Sequence, residues 1–230
     1  MKEYMLANVN GIRINYEAEG EGPPILLLHG NGEDHRIFDR LAADLKKDHE
    51  VFSIDTRGHG ESEQVDSFHY SDMVEDIAAL IRELSIRKPL LYGFSDGGIV
   101  GLMLASKYPG MLSGLIASGP NLNPKGIKAR FRIAMRLYYA FKKSPLVWLM
   151  LNEPRITDDD LAKIDIPVLI TIAEKDIILI SHAEHIADKI PGGRLIVVPN
   201  ENHFSYVSYS DKLFPLISGF IEECGNSNKI

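Results

Sequence analysis

Cysteine is almost absent from this sequence, which carries one, Cys224, among 230 residues. A single thiol cannot form an internal disulfide, so nothing favours an oxidising compartment. An excess of positive charge is missing as well: the formal net charge is −7, whereas general binding to nucleic-acid phosphates needs a basic face. The sequence therefore argues against a disulfide-stapled secreted fold and against a nucleic-acid partner.

Long hydrophobic runs are missing too. No apolar stretch approaches the about 20 residues that span a bilayer, and residues 1–10 have no basic start followed by an apolar core. We therefore expect a cytoplasmic protein with no signal peptide and no stable membrane insertion. The composition, 45% hydrophobic and 25% charged, is typical of globular proteins, and we predict that residues 1–230 form one domain.

Short apolar segments alternate with segments of helical periodicity along most of the chain. This alternation predicts an α/β fold with a mostly parallel sheet and helices on both faces. We expect a serine cap at Ser71 for the second helix and a frayed tail over 225–230. The predicted strands are 4–8, 12–17, 25–28, 51–54, 89–92, 112–118, 168–173 and 195–198, and the predicted helices are 36–47, 71–84, 99–108, 181–190 and 213–223.

Residues 121–164 interrupt this alternation. Between 125 and 143 the chain has seven basic residues, no acidic one, and interleaved aromatic residues. We interpret the segment as a small helical lid over the carboxyl ends of the strands, where ligands bind in open α/β sheets. Two other interpretations of the charges stay open: a solvated basic helix with an aromatic packing face, or a basic amphipathic helix resting on an anionic membrane surface.

The most informative motif is G-F-S-D-G at 93–97, between the predicted strand 89–92 and the predicted helix 99–108. A serine on so tight a turn needs small residues two positions before and after it. The turn exposes the Ser95 hydroxyl and aims the first amides of the helix at the same spot. We predict that Ser95 is a nucleophile. A plain Ser-Asp helix cap would leave the flanking glycines unexplained.

A serine nucleophile needs a base and a group that orients the base. Of the eight histidines, His203 follows the last predicted strand, which places it at the sheet edge where Ser95 lies, and we predict that it is the general base. Asp176 follows the strand 168–173 and is the predicted acid. Glu174 is its rival, since strand ends are uncertain by a few residues. The other histidines are expected on the surface or in packing roles.

An oxyanion hole needs two N–H donors. We assign the backbone N–H groups of Asp96 and of Asn31, which lies in H-G-N-G at 29–32 after the strand 25–28. His29 is expected to brace this loop by hydrogen bonding. Phe94 and the Asp96 side chain are candidates for substrate binding. The Asp96 carboxylate either pairs with a substrate ammonium group or only stabilises the helix N-terminus.

Together these motifs resemble the α/β-hydrolase family. The resemblance covers almost the whole chain and rests on H-G-N-G at 29–32, D-T-R-G-H-G-E-S at 55–62, the elbow at 93–98, and the order Ser…Asp…His. It implies an eight-stranded, mostly parallel sheet with a lid after the sixth strand, no cofactor, no metal, and hydrolysis through an acyl-enzyme. Asp55 and Arg57 are expected to form a structural, loop-bracing pair.

The run at 93–98 is similar to that of a valacyclovir-hydrolase-like branch of serine esterases, which act on amino-acid esters. We therefore predict hydrolysis of a small carboxylic ester by Ser95, His203 and Asp176, with amide or thioester substrates also open. Acyl transfer or perhydrolysis with the same triad stays open, as does a non-catalytic, ligand-binding member of the fold. The expected partner is the small-molecule ester, and a homodimer remains an alternative to a monomer.

Overall fold

The computed structural model describes residues 5–227. In that part of the chain, two short 3-10 turns, His35–Phe38 and Pro124–Gly126, accompany the regular elements. The strands are Met5–Val9 (β1), Ile12–Glu19 (β2), Pro24–Leu28 (β3), Glu50–Ile54 (β4), Leu90–Phe94 (β5), Gly114–Ser118 (β6), Val168–Lys175 (β7) and Arg194–Asn202 (β8). The helices are Asp39–Leu45 (α1), Tyr70–Glu83 (α2), Asp96–Lys107 (α3), Ala129–Lys142 (α4), Pro145–Asn152 (α5), Asp158–Ala162 (α6), Ile180–Lys189 (α7) and Leu213–Ser227 (α8).

All eight strands form one sheet in the order β1-β2-β4-β3-β5-β6-β7-β8. The pairs β1–β2 and β2–β4 are antiparallel, and the remaining pairs are parallel. The predicted α/β fold with a mostly parallel, eight-stranded sheet is therefore confirmed. Because the strands from β3 to β8 run in one direction, their carboxyl ends meet at one edge of the sheet.

The apolar run in β3 shows why helices cover both faces of the sheet. Side chains alternate between the two faces of a strand. Leu26 and Leu28 belong to the core cluster that includes residues of α2 and α3, while Ile25 and Leu27 belong to the cluster that includes residues of α1 and α8. A strand that is apolar at every position is stable only when both faces are buried, which is the environment of a central parallel strand.

Several boundaries differ from the predicted ones. The predicted helix 36–47 is a 3-10 turn, His35–Phe38, followed by α1. The predicted serine cap at Ser71 is wrong, because α2 already begins at Tyr70. The Tyr70 N–H donates instead to the carboxylate of Glu153 at 3.1 Å. A residue distant in sequence therefore supplies the hydrogen-bond acceptor for the first N–H of this helix.

The last two elements are longer than predicted. β8 extends to Asn202, four residues beyond the predicted end of this strand at 198. α8 continues through Ser227. The predicted frayed tail is therefore helical as far as Ser227, and residues 228–230 lie outside the described part of the chain.

The segment 121–164 lies between β6 and β7 and contains the 3-10 turn Pro124–Gly126 and the helices α4, α5 and α6. We refer to it as the α4–α6 segment. None of the residues in α4 is buried, whereas α5 buries Leu149 and α6 buries Leu161. Across residues 5–227, no helix combines the length and the apolar character that a bilayer crossing requires.

Candidate active site

Ser95 occupies the turn between β5 and α3 with φ 51° and ψ −109°, a conformation that is rare for a residue with a side chain. The glycines around it are required by close backbone contacts. A Cβ on Gly93 would lie 2.2 Å from the carbonyl oxygen of Gly97, and one on Gly97 would lie 2.1 Å from that of Leu28. The turn therefore closes only with glycine on both sides of the serine, as the motif predicts.

The structure brings the three predicted triad residues together. Nε2 of His203 lies 3.1 Å from Oγ of Ser95, and Nδ1 of His203 lies 2.7 Å from Oδ1 of Asp176. Asp176 directly follows β7 and His203 directly follows β8, so both come from strand ends at one edge of the sheet. A carboxylate that accepts the Nδ1–H proton leaves Nε2 as the acceptor for the serine hydroxyl.

Backbone donors hold the Asp176 carboxylate in place. It accepts the N–H of Ile178 at 2.9 Å and that of Ala173 at 3.3 Å. The rival acid, Glu174, is exposed, and its carboxylate accepts the N–H of Asn200 at 2.7 Å. The geometry therefore favours Asp176 over Glu174 as the partner of His203.

Aromatic rings hold the imidazole of His203 in position. The ring centroid of Phe94 lies 4.9 Å from that of His203, and the ring of Phe204 meets the imidazole edge-on at 5.0 Å. Phe94 is fully buried. Its ring packs against His203, and its predicted contact with substrate stays a prediction.

The backbone of Gly119 also lies close to the imidazole of His203, a contact that sequence reasoning missed. Its φ is +62°, and a Cβ built on it would lie 2.8 Å from Cε1 of His203 and 3.0 Å from Nδ1. Only glycine combines this backbone conformation with so close an approach. The one signal in the sequence was a glycine directly after β6, at the same sheet edge as Ser95.

The two predicted oxyanion donors are the backbone N–H groups of Asn31 and Asp96. Within residues 5–227, neither of these N–H groups donates to a protein acceptor. The residues flanking Asn31 are fixed: the N–H of Gly30 donates to Oε2 of Glu33 at 3.2 Å, and the N–H of Gly32 donates to Nε2 of His59 at 3.1 Å. The loop is therefore held on both sides of the residue whose N–H remains available.

His29 braces this loop, as expected. Its Nδ1 lies 2.8 Å from the carbonyl oxygen of Gly30, and its Nε2 accepts the N–H of Thr56 at 3.1 Å. Burial, assisted by the nearby His59, lowers the pKa of His29 to about 4. The neutral ring that results can donate from Nδ1 while it accepts at Nε2, which is the pattern that the two contacts require.

Glu33 is a second residue that sequence reasoning missed. One carboxylate oxygen accepts the Gly30 N–H, and the other accepts the hydroxyl of Ser208 at 3.1 Å. Burial raises the pKa of this carboxyl above its usual value, against the opposing effect of these hydrogen bonds. Ser208 lies five residues beyond His203 in the sequence. One side chain thus joins the loop of the first oxyanion donor to the segment that carries the histidine.

The Asp96 side chain is buried beside the serine. Its carboxylate accepts the hydroxyl of Tyr70 at 2.7 Å and the side-chain amide of Asn31 at 2.9 Å. Burial raises the pKa of Asp96, while these two hydrogen bonds lower it by less. In the described part of the chain Asp96 forms no ion pair. The Asn31–Asp96 contact links the two residues whose N–H groups are the predicted oxyanion donors.

Asp55 and Arg57 are both structural, but the expected pair between them is wrong. Asp55 accepts the Nδ1 proton of His35 at 2.7 Å, and Arg57 donates to Asp76 at 2.6 Å and to Asp72 at 3.1 Å. His35 was expected near the surface, yet only 3% of it is exposed. The carboxylates of Asp55 and Glu17 lie next to its two ring nitrogens.

One group of side chains in the described residues has the atoms and the proximity to ligate a metal: Asp34, His35 and Asp55, within 4.8 Å of one another. Their atoms are already engaged. Asp34 accepts from Arg36 at 2.9 Å, and Asp55 accepts from the His35 ring, the His35 N–H, the Asn15 side chain and the Glu61 N–H. We therefore assign this group a structural role.

A profile of the family described as alpha/beta hydrolase fold matches residues 23–147, more than half of the chain. The chain belongs to this family. The matched range contains the loop of Asn31, the elbow of Ser95 and the start of the α4–α6 segment.

Family relatives that resemble this chain are themselves hydrolases. Human serine hydrolase BPHL is 28% identical over 246 aligned residues, which cover 93% of this chain and 84% of the human protein. The uncharacterized hydrolase YraK of Bacillus subtilis is 31% identical over 117 residues, 50% of this chain and 43% of that protein. These relatives support hydrolase activity for this chain.

Solved structures agree on the fold. The enol-lactonase from Burkholderia xenovorans LB400 superposes with a TM-score of 0.80 at 20% identity, over 95% of this chain and all (100%) of that one. A thermophilic esterase from Thermogutta terrifontis superposes with the same TM-score of 0.80 at 21% identity, over 96% of this chain and 99% of that one. At these identities the likeness establishes the shared architecture.

Proposed function

We propose that this hydrolase cleaves a small carboxylic ester through a covalent acyl-enzyme, with Ser95 as nucleophile, His203 as general base and Asp176 as the acid that orients the base. The observation that carries the proposal is the chain of contacts from Ser95 Oγ to His203 Nε2 at 3.1 Å and from His203 Nδ1 to Asp176 at 2.7 Å. These are the distances over which a hydroxyl proton is transferred to an imidazole.

In the first half of the reaction, Ser95 Oγ attacks the acyl carbon and its proton passes to His203 Nε2. The tetrahedral oxyanion accepts hydrogen bonds from the N–H groups of Asn31 and Asp96. The ionised Asp176 stabilises the imidazolium. His203 then gives the proton to the departing alcohol. In the second half, His203 takes a proton from water, the water attacks the acyl-enzyme, and the acid product leaves with Ser95 restored.

We infer that the α4–α6 segment is a lid over this site. The carbonyl oxygen of Leu146, the second residue of α5, lies 3.5 Å from the side-chain amide of Asn31. The segment therefore touches the residue that carries the first oxyanion donor. A lid of three helices in a chain of 230 residues suits a small substrate.

The test is a hydrolysis screen over short acyl, aryl and aminoacyl esters, with Ser95→Ala as the blank. We expect turnover of at least one class by the native protein and a loss of about 1,000-fold or more in the variant. Adding an alcohol or hydrogen peroxide as a competing acceptor separates hydrolysis from acyl transfer or perhydrolysis, which use the same triad. Unchanged turnover in Ser95→Ala would refute the proposal.

Aminoacyl esters are a narrower candidate class, favoured by the buried carboxylate of Asp96 next to Ser95. Without a cationic partner among the described residues, this carboxylate is suited to receive a substrate ammonium group. A purely structural role at the start of α3 would supply about 0.3–1 kcal/mol. Asp96→Ala is expected to raise the KM for aminoacyl esters while simple acyl esters are spared. Equal effects on both classes would leave Asp96 with the structural role alone.

A further inference from the structure

The outer face of α4 exposes a stripe of large apolar side chains. Ile133, Leu137 and Phe141 are spaced four residues apart and are 57%, 60% and 85% exposed, and Tyr138 beside them is 52% exposed. Residues at this spacing lie on one side of a helix. The opposite side of α4 carries Phe131 and Met135, which pack against the core. The helix thus has two apolar faces, one packed against the core and one turned outward.

Positive charge surrounds this stripe in a chain that is negative as a whole. Residues 121–152 contain no aspartate or glutamate, although the net charge of the chain is −7. Many basic residues elsewhere form ion pairs, such as Arg57 with Asp76 and Arg194 with Glu223. Among the described residues, none of the basic side chains within residues 121–152 does so; these are Lys125, Lys128, Arg130, Arg132, Arg136, Lys142 and Lys143.

Two of these basic side chains donate hydrogen bonds to backbone carbonyl oxygens. Lys128 donates to the carbonyl oxygen of Asp176 at 2.6 Å, and Arg132 donates to that of Ile127 at 3.1 Å. Arg130 and Arg136 are instead exposed, and each lies three residues from Ile133, beside the apolar stripe of α4. Apolar and aromatic side chains flanked by exposed cations are the composition of helices that lie in the interface of an anionic bilayer.

Such a face could be covered by a second copy of this chain or by an anionic lipid surface. The positive charge of the face favours the lipid surface. Two copies of this chain meeting across a two-fold axis would bring the same basic faces together, and like charges would repel. An anionic lipid surface neutralises those charges and receives the apolar side chains among its headgroups.

We propose that the outer face of α4 docks on an anionic lipid surface. Ile133, Leu137 and Phe141 enter the headgroup region, and Arg130 and Arg136 lie on lipid phosphates. The contact is peripheral and reversible, since it uses one helix face and electrostatic attraction. It does not depend on the proposed catalytic chemistry, because no triad residue takes part.

The proposal is tested by co-sedimentation with vesicles of phosphatidylcholine alone and of phosphatidylcholine mixed with phosphatidylglycerol, at low and high ionic strength. The Ser95→Ala protein is used in parallel, so that any lipid hydrolysis is kept apart from binding. Trp148, the one tryptophan of the chain, lies in α5 beside α4 and gives a fluorescence signal for the same titration. We expect binding to the anionic vesicles alone, weakening as salt is added.

Two double variants separate the two parts of the contact. Arg130→Gln with Arg136→Gln is expected to weaken partitioning about 25-fold, or about fivefold for each charge. Leu137→Ser with Phe141→Ser should weaken it at least as much. All four positions are exposed, so folding is preserved, which circular dichroism checks. The matched controls, Leu6→Ser and Arg40→Gln, change similarly exposed residues away from α4 and should bind normally.

Three results would overturn the proposal. The first is no binding to anionic vesicles at low salt. The second is binding that neither double variant weakens relative to the controls. The third is a dimer in analytical ultracentrifugation that Leu137→Ser with Phe141→Ser dissociates, which would assign the face to a second copy of the chain.

Discussion

Gly119 has no side chain, yet it controls where the imidazole of His203 can lie. A methyl group at this position would come within 2.8 Å of the ring. We expect Gly119→Ala to displace His203 from Ser95 and to lower kcat/KM about 100-fold, since a shift of the order of 1 Å has that effect. Steady-state kinetics on the best ester of the screen measures it.

Gly110→Ala is the matched control for this variant. Gly110 also has a positive φ, +76°, but a Cβ there would meet nothing within 4 Å. Both variants therefore carry similar backbone strain, and only Gly119→Ala crowds the histidine. Equal activity in the two variants would contradict the positioning role of Gly119.

Glu33 acts through the oxyanion loop rather than on the substrate. In Glu33→Ala the Gly30 N–H and the Ser208 hydroxyl both lose their acceptor. The N–H of Asn31 then becomes less well placed for the transition state. We expect kcat to fall about tenfold with little change in KM, because a donor that acts only in the transition state has been displaced.

Ser208→Ala provides the comparison, since it removes one of these two hydrogen bonds and leaves the Gly30 contact intact. Its effect on kcat should be smaller than that of Glu33→Ala. A Glu33→Ala protein that is less stable but turns over ester at the native rate would assign Glu33 to stability alone.

At the scale of elements, a buried charge cluster ties β2 and the end of β4 to the first 3-10 turn. Nδ1 of His35 lies 2.7 Å from Asp55, and Nε2 lies 3.2 Å from Glu17. Burial lowers the pKa of His35, but the hydrogen bond to Asp55 and the two carboxylate charges outweigh it and raise the pKa above 6.5. For Asp55, burial raises the pKa, while the hydrogen bonds from His35 and Glu61 lower it further, to about 2.

These opposite shifts predict how stability depends on pH. The contribution of Asp55 is complete above its usual pKa of 3.8 and is lost as pH falls through about 2. The contribution of His35 is complete below 6.5 and is lost as pH rises through its higher folded-state pKa. The cluster therefore stabilises the fold most between about pH 4 and 6.5. Urea unfolding at pH values below, within and above this window measures the effect.

His35→Gln should lower the free energy of unfolding by about 1–3 kcal/mol near pH 5, because two buried carboxylates lose a donor. It should also abolish the loss of stability that His35 causes as pH rises above 6.5. His185→Gln, in an exposed pair with Asp158, should change little. An unchanged pH profile in His35→Gln would show that another group sets it.

The elements that sequence reasoning located best are those whose cause is local. The apolar run at 25–28 predicts β3 because a strand buried on both faces must be apolar throughout. The start of α2 was missed because Glu153, 83 residues from Tyr70, supplies the acceptor for its first N–H. Contacts of this kind depend on the packed fold and leave no pattern near the residue concerned.

At the scale of the whole molecule, three strand ends explain why the candidate site could be predicted at all. Ser95 follows β5, Asp176 follows β7 and His203 follows β8, and parallel strands bring these positions to one edge. Chain order and strand ends are visible in the sequence. The contacts of Gly119 with His203 and of Glu33 with Ser208 are not, because they depend on how loops from different strands meet above that edge.

Labelling with a fluorophosphonate tests the central claim most directly, because the reagent reacts with a serine only when a base activates it. Intact mass and peptide mapping at neutral pH should give one adduct, on Ser95. Ser95→Ala should take none, and His203→Ala should react far more slowly. A folded native protein that takes no adduct, or takes it on another residue, would contradict the assignment of Ser95 as the activated nucleophile.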